Sequence, residues 1–409
     1  MTQTQHQAGF LSRATDLAQR VRQAFHRLLV AVPGAVTDRR GRRTIPGLNA
    51  TLQSRLVRAL DQHEPLSILH HLPGVVGLRS VIDEAARRGT DPDLLADART
   101  VTAELADFFD HEGLDRETLQ AMLATHVPEA RDAMVRTNSQ MLYKSLSNLK
   151  GYAAESLAMV AVAYPCDDPA ACTVSMVGLI HGLRRFRADA QHYERGYVTP
   201  KQEGKKAKEH QYTLDGVPLS ELDGPPIIDE LTSDPRPCFE PEPTPLGLAH
   251  RLVEHEVGRD GTMSYAVGMT VTAAKPRVQT EEYAAAVISA VSTLASKRFV
   301  LDVLVHDDIW PGINPIAETY SIVPHGPVTE LTRLHRATDK LDLGVSAVPL
   351  GRGAISFEHA VIPKHRRALD HLLESTGLDA SALRGYRLDM QYPLFGVQYG
   401  QVFELPESS

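Results

Sequence analysis

The chain has 409 residues, of which 43% are hydrophobic and 23% charged, and its formal net charge is −8 at pH 7. These proportions are those of an ordinary soluble protein and exclude a disordered tail, a collagen-like fibre and a coiled-coil rod. The length suggests two or three domains. No stretch approaches eighteen apolar residues without a charge, so no membrane span is expected. Met1 to Gly9 lacks the basic start and apolar run of a signal peptide. The cysteines are Cys166, Cys172 and Cys238, without a CxxC pair. A cytoplasmic setting without a disulfide framework or zinc ribbon is therefore expected.

The first 160 residues read as helical. Ala14, Leu17, Ala18, Val21, Ala24, Phe25, Leu28 and Leu29 recur at spacings of three and four, and Pro33-Gly34 ends that helix. Asn49 or Thr51 can cap a second helix that carries Leu52, Leu56 and Leu60 on one stripe. Leu78, Val81, Ile82 and Ala85 mark another, stopped near Gly89, and Asp91-Pro92 opens the next. Pro128 begins a long helical stretch expected to reach about Val162. The stretch Tyr197 to Pro245 holds nine prolines in 49 residues, with Lys201, Lys205, Lys206 and Lys208, and reads as a linker or extended arm.

Beyond it, Tyr265 to Ala273, Phe299 to Val305, Glu318 to Val323, Leu343 to Val348 and Ala354 to Ile362 have the β-branched content of strands. Leu388 to Phe403 reads as a hairpin. Thr280 to Lys297 and Pro363 to Thr376 read as helices, the second with Pro363 in its first turn and Gly377 just past its end. The fold class expected is α+β and multidomain. Composition divides the chain into a helical region at 1–90, a helical middle region at 91–196 with a candidate oligomerisation helix, an arm at 197–245 and an α+β domain at 246–409.

The net charge conceals a polarity. Residues 10 to 60 hold ten arginines against Asp16 and Asp38, a balance of +8, whereas residues 61 to 135 balance at −9. A concentrated basic segment is the footprint of phosphate binding, and arginine suits bidentate contacts to phosphate or guanine. The alternative is a solvated helix face in an arginine-rich chain.

The segment Ile45-Pro-Gly-Leu-Asn-Ala-Thr-Leu-Gln-Ser-Arg-Leu-Val-Arg-Ala-Leu60 resembles the turn and recognition helix of a helix-turn-helix DNA-binding regulator, over roughly residues 14 to 61. In that resemblance Leu52, Leu56 and Leu60 face the core. Thr51, Ser54, Arg55 and Arg58 lie opposite, bordered by Gln53. With Asn49 and the Arg-rich loop residues Arg39, Arg40, Arg42 and Arg43, these form the expected DNA-contacting set. The sequence departs from the family pattern at Val32 to Ile45, a long insertion where a short helix and tight turn would stand. A plain helical bundle with an arginine-coated exterior is the alternative. Arg184, Arg185 and Arg187 with the arm's lysines and Tyr193, Tyr197 and Tyr212 offer a second basic feature, more simply read as a solvated loop.

Chemistry is sparse. His306-Asp307-Asp308, before the sole tryptophan Trp310, could bind a metal or do acid/base work, but a turn accounts for the same residues. His63, His70 and His71 read as structural or surface groups. His359, His365 and His371 are spaced by six, so His365 and His371 would diverge on a helix. No GxSxG elbow, Walker loop or GxGxxG is present, and Gly351-Arg352-Gly353 fits a hairpin turn. No metal or cofactor is expected. Arg384, Tyr386, Arg387, Asp389, Tyr392, Phe395 and Tyr399 read as sheet core. The leading expectation is a cytoplasmic, homodimeric DNA-binding transcriptional regulator with a C-terminal domain that senses a small-molecule ligand or binds a partner. The alternatives are a metal-dependent or hydrolytic enzyme centred on that domain, or a non-enzymatic scaffold.

Overall fold

The computed structural model describes residues 3–37, 43–113, 115–194, 211–234, 236–244, 247–253 and 255–407. The chain is mixed α+β, helical in its first part and strand-rich afterwards, as its patterning implies. It divides into two compact units, Met1–Val135 and Arg136–Ser409. This division differs from the four segments read from composition.

In the first unit the helices are α1 (Gln3–Ala31), α2 (Ala50–Leu60), α3 (Pro65–His71), α4 (Val75–Arg87), α5 (Pro92–His111), α6 (Arg116–Ala124) and the start of α7 (Pro128–Lys150). A two-stranded ribbon, β1 (Val36–Thr37) with β2 (Arg43–Thr44), lies between α1 and α2. The apolar stripe of α1 is fully inside: Ala14, Ala18, Val21, Phe25 and Leu28 are at most 0% exposed. Leu56, Leu78, Val81, Ala98 and Leu105 join it, so α5 shares one core with α1, α2 and α4. Helix starts follow local chemistry. Asn49, Glu64, Asp91 and Asp115 accept hydrogen bonds from the orphan N–H groups of α2, α3, α5 and α6, and Pro65 and Pro92 occupy first-turn positions. Gly89, with φ of +76°, follows α4 in the left-handed conformation that closes a helix end.

In the second unit α7 ends at Lys150, and the helix expected to run to Val162 is corrected there. Gly151 has φ of +74°, and a Cβ placed on it would stand 2.4 Å from the Ala190 Cβ, so the chain turns. It then enters β3 (Tyr152–Ala153) and β4 (Ser156–Pro165), followed by β5 (Ala171–Arg185), β6 (Tyr193–Glu194), β7 (Gln211–Tyr212), β8 (Phe239–Thr244) and β9 (Gly247–Leu252). The remaining elements are β10 (Met263–Pro276), β11 (Ala285–Ser292), β12 (Arg298–His306), β13 (Ile316–Ser321), β14 (Val348–Arg352), α8 (Ala354–Phe357), α9 (His365–Thr376), β15 (Leu383–Gln391) and β16 (Val397–Glu404).

The main sheet runs β14-β15-β12-β4-β5-β10-β7, with β3 beside β5. Only the β12–β4 neighbours among these named pairs are parallel. One face packs on α8 and α9 through Val160, Val177, Val300, Leu304, Phe357, Leu369 and Leu372. The other packs on the small sheet β11-β16-β13 through Val174, Leu301, Val303, Ile288, Tyr399 and Phe403. Buried on both faces, β12 reads as a continuous apolar run, and its period-two alternation puts Val300, Asp302 and Leu304 on the α9 side.

Five further expectations are corrected. Residues 280–297 contain the strand β11, paired with β16, where a helix is expected. Residues 343–347 are not strand, and Ala354–Phe357 is helical. Leu388 to Phe403 is no hairpin: β15 pairs with β12 and β14, whereas β16 pairs with β11 and β13 in the other sheet. Gly351-Arg352 lies in β14 and Gly353 leads into α8, so this is not a hairpin turn either. The helix near Pro363 starts at His365 and ends at Gly377 with φ of +66°. Of the Pro-rich arm, residues 197–210, Pro235 and Pro245 lie outside the described residues. Its later part docks on β10, where the Ile228 N–H donates to the Ala266 carbonyl at 2.9 Å. No described helix is long and apolar enough to cross a membrane.

Candidate nucleic-acid interface and the polar clusters

The helix that resembles a recognition helix is present as α2. Leu56 and Leu60 are buried and Leu52 packs against the same core. Thr51, Ser54 and Arg58 are exposed. The rest of the expected set has bonds inside the unit. Asn49 Oδ1 accepts from the N–H groups of Thr51 and Leu52 at 2.9 and 3.2 Å, a helix cap. Gln53 Nε2 donates to the Ile45 carbonyl. Arg55 Nη2 donates to the Leu72 carbonyl at 3.1 Å, and Arg43 Nη1 to the Val30 carbonyl at 2.6 Å. Arg39, Arg40 and Arg42 lie outside the described residues.

The charge polarity has a partner within the unit. Arg13, Arg20 and Arg27, seven apart on α1, bind Glu112, just past the end of α5, and Glu104 and Asp97 within it. The Arg27–Asp97 distance is 2.7 Å. The descending order of the partners shows that α1 and α5 run antiparallel. Arg22 caps the end of α2 by donating to the Leu60 carbonyl at 3.1 Å. Basic helix and acidic helix are thus two sides of one contact. The pairs are about half exposed, so each contributes about 0–1 kcal/mol and chiefly fixes which helix neighbours which. Sequence reading missed this ladder, although the matching seven-residue period of Arg13, Arg20, Arg27 and of Asp97, Glu104 was its signal. His70 and His71 lie ring against ring at 4.6 Å, and burial lowers the pKa of both, which keeps them neutral and structural.

In the strand-rich unit His306-Asp307-Asp308 forms a turn. The Asp308 N–H donates to His306 Nδ1 at 3.2 Å. Asp307 accepts from Arg352 Nη1 at 2.6 Å, and that bond lowers its pKa. Trp310 is 1% exposed, stacks on Phe403 and donates to the Pro276 carbonyl at 3.0 Å, so it belongs to the core. Among the described residues no group of three or more His, Cys, Asp or Glu side chains is placed to hold a metal ion.

A buried polar cluster on β12 and β15 was not legible in sequence. Asp302, 0% exposed, accepts from Arg387 Nε at 2.8 Å and Nη2 at 2.6 Å, and His365 Nε2 stands 3.0 Å away without the alignment of a hydrogen bond. The His359 N–H donates to His365 Nδ1 at 3.3 Å. His359 Nδ1 in turn accepts from the N–H groups of Val361 and Ile362, at 3.2 and 3.1 Å. Both Nδ1 atoms face backbone N–H donors, which turns the Nε2 of each ring toward a carboxylate. His359 Nε2 faces Asp389 at 3.2 Å, and Asp389 also binds Arg298 at 2.6 Å. Burial would raise the Asp389 pKa, but the bonds from His359 and Arg298 outweigh it and hold the carboxyl well below its ordinary range. Arg387 further holds the Phe357 carbonyl at 2.6 Å, so the cluster clamps the α8–α9 connection onto β12 and β15.

No family model and no curated protein matches the chain. Among solved structures, a Parabacteroides distasonis protein provisionally called a protease is similar over 63% of this chain. The match covers 41% of that protein, at 8% identity and a TM-score of 0.27, a likeness too slight to bear on fold or activity.

Proposed function

We propose that the chain is a DNA-binding regulatory protein whose helical unit contacts duplex DNA and whose strand-rich unit serves a ligand or partner. The observation that supports this reading is α2, with its start capped by Asn49, its apolar face fixed in the core, and Thr51, Ser54 and Arg58 together on its solvent side. The arginines Arg13, Arg20 and Arg27 do not support it, because α5 matches their charge. The contact set therefore centres on Thr51, Ser54 and Arg58, with loop charge from Arg39, Arg40, Arg42 and Arg43 and the remaining donors of Arg55. A homodimer belongs to the proposal, since two-fold operators mirror two-fold proteins. No observation of the same kind favours an enzyme centred on His306, Asp307 and Asp308. The test is duplex binding by the Arg58→Glu chain, with salt varied. Loss of affinity supports the reading, and unchanged affinity refutes the placement of α2 on DNA.

A further inference from the structure

The strand-rich unit contains a cavity of about 350 Å³ lined by the end of α7, by β6 and by the residues just after β11 and just before β16. That volume falls in the range of small-molecule sites. Its charged lining group is Lys150, whose Nζ lies 4.7 Å from the centroid of the Phe395 ring. A cation on a ring face is partly desolvated and still able to take an anion. Lys150 makes no ion pair among the described residues.

His192 also lines the cavity. Its Nε2 is 3.0 Å from the Tyr265 hydroxyl, which donates to Glu194 Oε2 at 2.8 Å. The phenol gives its one proton to Glu194, so its oxygen accepts from His192 Nε2–H, and the imidazole is held in one orientation. Tyr152, 3% exposed, stands between the rings of His192 and His255, each 5.7 Å away by centroid. Leu294 and Ile322 complete an apolar wall. Aromatic and aliphatic walls favour a planar apolar body, which offset stacking rewards. One ammonium at the C-terminal, negative end of a helix dipole matches a monoanion and disfavours a phosphate dianion.

We propose that this cavity binds a small aromatic carboxylic acid, its ring against Leu294, Ile322 and Phe395 and its carboxylate on Lys150. The site does not depend on the nucleic-acid reading, which concerns the helical unit. The test is isothermal titration of the full chain with benzoate and with neutral benzyl alcohol, using wild type, Lys150→Met and Thr293→Trp. Both positions are exposed, so neither variant disturbs the core, which circular dichroism checks. Saturable benzoate binding is expected, weakened about tenfold or more by Lys150→Met, as for a lost charged hydrogen bond. Benzyl alcohol binds more weakly and is indifferent to Lys150→Met, and Thr293→Trp at the rim abolishes binding of both. The proposal is overturned if benzoate gives no saturable heat up to about 10 mM, a Kd beyond which affinity is below ~3 kcal/mol. Equal benzoate affinity in wild type and Lys150→Met, or binding unaffected by Thr293→Trp, overturns it as well.

Discussion

Replacing Arg387 by Met isolates the buried carboxylate of Asp302. Asp302 is 0% exposed and loses two donors, at 2.8 and 2.6 Å, while the Phe357 carbonyl loses its bond as well. Breaking a buried ion pair by removing one partner costs about 3–5 kcal/mol, because the remaining charge has no water to return to. Arg387→Met should therefore destabilise the strand-rich unit by about that amount. The double variant Arg387→Met with Asp302→Leu should recover more than half, since no orphan charge is left. Urea unfolding followed by Trp310 fluorescence is the assay: Trp310 is the sole tryptophan and is buried in this unit, so it reports the unit alone. With a slope of about 3 kcal/mol per molar, the midpoint falls by about 1 M or more. A loss under about 1 kcal/mol at unchanged slope, or a double variant less stable than Arg387→Met, would refute the orphan-charge argument.

Other outcomes follow from the same bonds. Burial alone would raise the Glu318 carboxyl, but donors from Arg333, Lys340 and Tyr320 hold it at about 2 against an ordinary 4.5. Its contribution, about 3 kcal/mol, is therefore present above pH 4.5 and disappears as pH falls from there through about 2. Glu318→Gln should cost that much at neutral pH and little near pH 2, measured by the same fluorescence. Asn49→Ala removes the cap of α2 and should destabilise the helical unit by about 1 kcal/mol in thermal circular dichroism. Arg20→Ala should cost less than about 1 kcal/mol, since its pair is half exposed. Burial pushes the Cys172 thiol up to about 12, so a thiol reagent at pH 8 should label exposed Cys238 and spare Cys172 until the chain unfolds.

The helical unit was legible because α1, α2 and α5 each bury one face, which writes a three-and-four spacing into the sequence. Asn49 and Asp91 mark starts by their own side chains. The strand-rich unit was legible where β-branched residues dominate, as in β10 and β12. It failed at β4 and β11, runs with three alanines each whose buried surroundings erase the alternation that separates strand from helix. The pairing of β15 and β16 failed for another reason. Two strands joined by a short connector imitate a hairpin, and only distant partners decide that they enter different sheets. The ladder between α1 and α5 and the Asp302–Arg387–His365 cluster are likewise long-range, with Asp302 and Arg387 85 positions apart. Local charge counting saw the arginines of α1 but not the acids that match them.

Duplex binding by the full chain as salt is raised tests the central claim most directly, comparing wild type with the triple variant Thr51→Ala, Ser54→Ala, Arg58→Glu. The account predicts that wild type binds, that its affinity falls steeply with salt through counterion release, and that the triple variant binds at least tenfold more weakly with a shallower salt slope. Undetectable wild-type binding at low salt, or a triple variant with wild-type affinity and slope, would contradict it.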